Sequence, residues 1–182
     1  RLLIARPGLI VGPGDPSDRF GYWPARLDRG GPTIVPVMQN RFVQVIDVAD
    51  LASWLAAAGS ARLTGRINAV GPPLPMTDFF TAARAVTGFR GELIDVTDAV
   101  LEAHGIQYWA GPRSLPLWLP SRATGFAQRD RSAYLRAGGT ARSMTDTLTR
   151  VLQDERVRGL DRPRRAGLTA DEETSLMRGL AG

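Results

Sequence analysis

The stretch Arg6-Pro7-Gly8-Leu9-Ile10-Val11-Gly12-Pro13-Gly14-Asp15 decides how the rest of the chain is read. It continues an apolar run, Leu2-Leu3-Ile4-Ala5, short and unbroken like a strand covered on both faces, and it runs out into a Gly/Pro turn. A strand that empties into such a turn often borders a ligand crevice. A dinucleotide fingerprint is excluded here. Gly12-x-Gly14 would need a third glycine at position 17, where Ser17 stands, and Pro13 and Pro16 lack the N–H donors that a pyrophosphate requires.

Two further segments follow in order. Arg41-Phe42-Val43-Gln44-Val45-Ile46-Asp47-Val48-Ala49-Asp50-Leu51-Ala52 reads as a strand turning into a helix, and Ile67-Asn68-Ala69-Val70-Gly71 reads as a strand after that helix. Together with the opening stretch, which fits the pattern R-P-x-x-[VI]-x-G-P-x-D, these segments resemble the extended short-chain dehydrogenases/reductases, the NAD-dependent epimerase/dehydratase family. The resemblance spans residues 1 to 75 and thins beyond them. It implies an α/β fold: the C-terminal part of a Rossmann-like parallel sheet, plus a smaller α+β substrate-binding subdomain. On this reading 1–75 completes the Rossmann-like core and 76–182 is a mainly helical substrate-side region of one domain.

Composition narrows the chemistry. All 23 basic residues are arginine, so a Walker-type phosphate loop, a Schiff-base lysine and a Tyr-x-x-x-Lys pair are impossible within this sequence. The absence of cysteine excludes disulfides and thiolate metal sites, and with one histidine, His104, no metal site is expected. No apolar run approaches the roughly 20 residues of a membrane span, so no membrane partner is expected and a cytoplasmic location is. The net charge of +5 raises the question of nucleic acid. Only Arg162-Pro163-Arg164-Arg165 is dense, however, and no aromatic-basic motif accompanies it, so no nucleic-acid partner is expected. Because Arg1 opens directly on a strand, preceding sequence is expected, and by the resemblance it would carry the glycine-rich cofactor loop and the Tyr-x-x-x-Lys pair.

Elements can be placed along the chain. A helix with Phe20, Trp23 and Leu27 on one face is expected after Tyr22, stopped by Gly30-Gly31-Pro32. Thr33-Ile34-Val35 and Phe42 to Ile46 are β-branched runs around a Gln39-Asn40 turn, read as a small hairpin. Asp47 suits the N-cap of the next helix and Asp50 its first turn. Thr77 opens a further helix that stops at Gly88, and Glu92 to Val96 is a short strand followed by a helix ending near Gly105. Phe126, Tyr134 and Leu135 anchor a weakly periodic stretch, a helix follows over Thr145 to Leu152, and Thr169 with Glu172 forms a capping box for the last one.

The resemblance implies NAD or NADP as cofactor, with Pro7, Gly8, Leu9 and Ile10 against the nicotinamide through backbone and apolar contact. It also implies Arg41 on substrate phosphates, a task suited to the bidentate guanidinium, although Phe42 replaces the acid that usually follows it. Tyr22 and Trp23 stand where the family's substrate side begins, with pocket lining and core packing both open. Tyr108 to Pro120, which holds Trp109 and Trp118, reads either as a wall over an apolar substrate or as a hydrophobic loop covering the core. No residue is assigned a catalytic role: Tyr22, Tyr108 and Tyr134 lack a lysine four positions on, His104 reads as a cap or a packed side chain, and Asp47 and Asp50 read as helix-start residues. The chain is thus expected to be the small-molecule-binding portion of an NAD(P)-dependent reductase, epimerase or dehydratase and inert alone, with a homodimer left open. The alternative is a non-catalytic ligand-binding or regulatory protein on the same fold.

Overall fold

The structure, a computed structural model, describes residues 2–180. The opening stretch is extended but broken at Gly8 into β1 (Leu3–Pro7) and β2 (Leu9–Val11), and β1 is not covered on both faces as its apolar run suggests: it alternates half-buried and exposed residues, with Leu2 and Ile4 exposed. After α1 (Tyr22–Asp28) come β3 (Thr33–Pro36), β4 (Phe42–Val43) and β5 (Val45–Asp47), which runs directly into α2 (Val48–Ser60). Then follow β6 (Gly65–Ala69), β7 (Leu74–Pro75), α3 (Met76–Thr87), β8 (Leu93–Val96) and α4 (Asp98–Ala103). The short strands β9 (Gln107–Trp109) and β10 (Ser114–Pro116) precede a 3-10 segment, Ser121–Ala127, and the helices α5 (Ser132–Arg136), α6 (Met144–Arg158) and α7 (Ala170–Leu180) close the chain.

The break at Gly8 lets consecutive strands choose different partners. β1 pairs in parallel with β6, and β2 in parallel with β5. The two pairs stay joined because the Gly8 N–H donates to the Ala69 carbonyl at 3.3 Å and the Gly71 N–H to the Val45 carbonyl at 2.8 Å. The segments holding Pro7 and Val45 thus belong to two separate parallel pairs linked through these backbone bonds, rather than to one continuous sheet.

The hairpin expected around Gln39-Asn40 does not form. The turn exists, with the Arg41 N–H donating to Met38 and Asn40 at φ 58°, but the strands flanking it part company. β3 pairs in parallel with β8 and β4 antiparallel with β7. Every residue of β3 is buried, so it needs a partner inside the fold, and β8 satisfies its ladder there.

Helix starts follow local chemistry. The Asp47 side chain accepts the Ala49 N–H at 2.9 Å, and Thr169 and Glu172 exchange reciprocal bonds at 2.9 and 3.2 Å before α7. At the start of α3 the capping position falls to Pro75, and Thr77 lies inside the helix; at its end Gly88 adopts the left-handed conformation. α6 extends beyond the expected span because Glu155 and Arg158, polar in sequence, are drawn into an internal ion-pair cluster with Asp18. The main core runs from Leu9 to Leu176 and gathers Phe20, Trp23, Phe79 and Phe80 edge to face, with ring centroids 4.8 to 5.7 Å apart. A second core packs Trp54 of α2 on Tyr134 of α5 over β6.

Candidate functional site

A cleft of about 530 Å³ opens where β2 runs out. Its floor is Pro7, Gly8, Leu9, Ile10 and Val11, continued by the loop from Gly12 to Ser17, and Val48 borders it from the start of α2. Both the loop and Val48 lie just beyond the C-terminal ends of the parallel pair β2–β5, which is where open α/β sheets bind their ligands. Gly12 makes this corner possible. Its φ is 150°, and a Cβ there would stand 2.7 Å from Val48 Cγ1.

The opposite wall comes from far along the chain. Trp109 and Phe126 meet edge to face at 5.2 Å, Arg19 lies over the Trp109 ring at 5.4 Å, and Arg129 lies over the Phe126 ring at 5.1 Å. Trp109 holds φ at 69°, a conformation that costs a non-glycine residue roughly 1–3 kcal/mol. The local cause is the connection between β9 and β10. These strands are parallel although only Ala110 to Arg113 joins them, where parallel neighbours normally need a dozen residues or more. Trp109, Gly111 and Arg113 all take positive φ to make the reversal. The strain leaves Trp109 on the cleft while its neighbour Tyr108 stacks on Trp118 at 3.8 Å.

The loop from Gly12 to Ser17 offers few free amides. The Gly14 N–H donates to Asp154 at 2.8 Å, the Asp15 N–H to the Gly12 carbonyl, and the Ser17 N–H to the Asp15 carboxylate. With prolines at 13 and 16, no phosphate cradle forms from this backbone.

The sequence candidates divide. Pro7, Gly8, Leu9, Ile10 and Trp109 come together in the cleft. Tyr22, Trp23 and Trp118 do not reach it: each is at most 1% exposed and packs in the main core. The two indole N–H groups turn inward to partners, Trp23 Nε1 donating to the Pro116 carbonyl at 2.7 Å and Trp118 Nε1 to Asp98 at 2.9 Å. Arg41 also stays outside the cleft. Its guanidinium reaches both Asp98 oxygens at 2.6 Å, donates to Val37 at 2.8 Å, and bonds the Leu119 carbonyl, tying the end of β3 to α4 and the 117–120 loop. Asp47 and Asp50 pair with Arg142, and Asp47 also with Arg150. His104 Nδ1 sits 2.9 Å from the Val100 carbonyl. Arg19, Phe126 and Arg129 complete the cleft without having been singled out as site residues.

No tyrosine is tuned toward proton transfer. Burial raises the pKa of all three; for Tyr108 burial and the hydrogen bond to Glu102 push it to about 12. None of the three lines the cleft.

No protein-family model matches the sequence, and no curated protein matches it either. Solved structures do match by shape. RMD from Pseudomonas aeruginosa, complexed with NADPH, is 16% identical at a TM-score of 0.59, covering 87% of this chain and 50% of that one. The human epimerase family protein SDR39U1 with NADPH is 23% identical at a TM-score of 0.58, covering 84% and 48%. The Bordetella bronchiseptica enzyme WbmF in complex with NAD+ is 17% identical at 0.56, covering 98% and 49%. What the likeness shows is a shared α/β fold. The chain spans about half the length of these relatives in structure. Among the described residues, no helix is long and apolar enough to cross a membrane and no cluster of metal-ligating side chains occurs.

Proposed function

We propose that the chain is the C-terminal, substrate-side portion of a cytoplasmic NAD(P)-dependent oxidoreductase or epimerase of the extended short-chain dehydrogenase/reductase type. The observation that carries this reading is the convergence of Pro7, Gly8, Leu9 and Ile10 on the floor of the cleft beyond β2. That floor is apolar and presents the exposed Ile10 side chain, so a flat nicotinamide ring fits against it; the bare Cα of Gly8 instead lets the strand pack closely on Val70. The rest of a dinucleotide does not fit these residues alone, because the loop amides are already engaged and no lysine is present. When bound, the cofactor would supply the hydride chemistry. This chain's own part is to bear on the ring, to close the far side of the cleft with Trp109 and Phe126, and to hold substrate between them.

The proton donor lies outside these residues, since no tyrosine reaches the cleft and each is shifted away from ionisation. The chain alone is therefore inert. The test has two parts. NADH and NADPH absorbance should stay constant with the purified chain under any carbonyl substrate tried, and turnover would overturn the reading. Titration with reduced nicotinamide mononucleotide, followed by amide NMR, should move the signals of Gly8, Leu9 and Ile10. Shifts confined to other parts of the chain would place the ring elsewhere and defeat the assignment of the floor.

A further inference from the structure

Most partly buried arginines in this protein are answered by a carboxylate. Arg26, Arg41, Arg142, Arg158, Arg162 and Arg164 all lie within ion-pair distance of one. The two on the cleft are different. Arg19 Nε donates to Ser17 Oγ at 3.2 Å, and Arg129 reaches the Pro7 carbonyl at 3.5 Å; among the described residues neither has a carboxylate partner. The Asp15 carboxylate also borders the cleft, but its two oxygens accept the Ser17 N–H at 2.8 Å and the Ser17 hydroxyl at 2.9 Å. Both guanidinium groups lie over aromatic faces, which fixes their planes while leaving N–H donors unused.

We propose that the cleft selects a substrate with a flat apolar body and an anionic oxygen group, carboxylate or phosphoryl. Arg19 and Arg129 hold the anion, and Trp109 and Phe126 bear on the body. The inference deepens the reading of this cleft as the reaction site and rests on it for the word substrate. It moves anion recognition away from Arg41, whose donors are already taken by Asp98, Val37 and Leu119. A guanidinium fork suits either oxyanion, since both present two oxygens at matching spacing.

The experiment titrates the 182-residue chain with phenyl phosphate, benzoate and benzyl alcohol by calorimetry. Phenyl phosphate or benzoate should bind at least about tenfold more tightly than the alcohol, as expected for charge-assisted bonds; the stronger of the two anions names the group. The variant R19Q/R129Q should bring the anions down to the alcohol's level. R156Q, which removes one exposed arginine paired with Asp28, should leave them unchanged. Matching melting curves for all three proteins show that the fold is intact. Equal affinity for alcohol and anions, no anion binding, or anion binding that survives R19Q/R129Q overturns the proposal. The nicotinamide titration is read on different residues, Gly8 to Ile10, in the same protein. Failure there with arginine-dependent phosphate binding defeats the cofactor assignment alone, and the converse result defeats only the anion site.

Discussion

Arg26 of α1 and Glu173 of α7 form an ion pair with both side chains nearly sealed from water, 7% and 4% exposed, and Nε to Oε2 at 2.5 Å. The pair is also a junction. Arg26 donates to the Gly30 and Pro32 carbonyls, and the other Glu173 oxygen accepts the Ile34 N–H of β3 at 3.0 Å. Arg26→Met leaves the Glu173 carboxylate buried with one amide partner, and removing one side of a buried pair costs about 3–5 kcal/mol. Glu173→Leu leaves the guanidinium with carbonyl partners only, at a similar cost, and adds about 1–3 kcal/mol for the orphaned Ile34 N–H. The double variant R26M/E173L removes both charges. What then remains is that N–H, roughly 1–3 kcal/mol, and the part-buried Gly30 and Pro32 carbonyls, which Arg26→Met alone also strips of their donor, so the double variant should be more stable than either single one. Against a typical total of about 5–15 kcal/mol, each single variant approaches unfolding at room temperature. Urea titration followed by circular dichroism measures all four proteins, with equal m-values as the check on two-state behaviour. If the two single losses add in the double variant to within about 0.5 kcal/mol, the residues are uncoupled and the reasoning fails.

Acid stability follows from two carboxylates. Burial opposes ionisation at Asp18 and Asp50, but hydrogen bonds from Arg162 and the Arg165 amide to the first, and from the Arg142 side chain and amide to the second, outweigh it and hold both below the usual range. A folded-state pKa below the unfolded value of about 3.9 means that this stabilisation is complete above that value and is lost as pH falls through the folded one. The melting temperature should therefore drop as pH is taken below about 4, and D50N should show a lower starting value with a shallower acid limb. An unchanged limb in D50N would remove Asp50 from the explanation. At Gly71 an added Cβ would stand 2.3 Å from the Val45 carbonyl oxygen, with backbone on both sides of the contact. Gly71→Ala should cost about 1–3 kcal/mol by pushing β5 away from the turn after β6, measured by the same urea titration; a loss under about 0.5 kcal/mol would mean that the two pairs are not rigidly joined.

The legible parts of this fold are those whose causes are local. The β1–β2 stretch, the Asp47 cap, the Gly88 stop and the Thr169–Glu172 box each depend on residues within a few positions, and each forms where the chain suggests. What the sequence misplaces depends on a partner elsewhere. Thr33-Ile34-Val35 carries strand propensity but not the identity of its neighbour, and burial on every side directs it to β8 rather than to the strand nearest in sequence. Arg41 likewise has the chemistry for phosphate, and Asp98, 57 positions on, claims it first.

The cleft shows the same division within one site. Its floor is a continuous run, so Pro7 to Ile10 reach the cleft together. Its far wall is assembled by tertiary contact. Trp109 is carried there by a strained reversal between two very short parallel strands, Phe126 by a 3-10 segment, and Arg129 by a backbone N–H that donates to the Gln44 side chain at 2.9 Å, 85 positions away. Gln44 in turn donates to the Gly71 and Arg129 carbonyls, so a buried amide just before β5 links the turn after β6 to the wall of the cleft. Arg19 and Arg129 are two among 23 arginines, and charge alone cannot distinguish them. What sets them apart is their place on the cleft, each over an aromatic ring and without a carboxylate partner among the described residues; Arg84 lies over Phe89 in the same way but away from the cleft. Specificity built this way can change without disturbing the floor. Exchanging either arginine alters which charge the cleft accepts, while the strands that would bear on a cofactor keep every hydrogen bond that joins them.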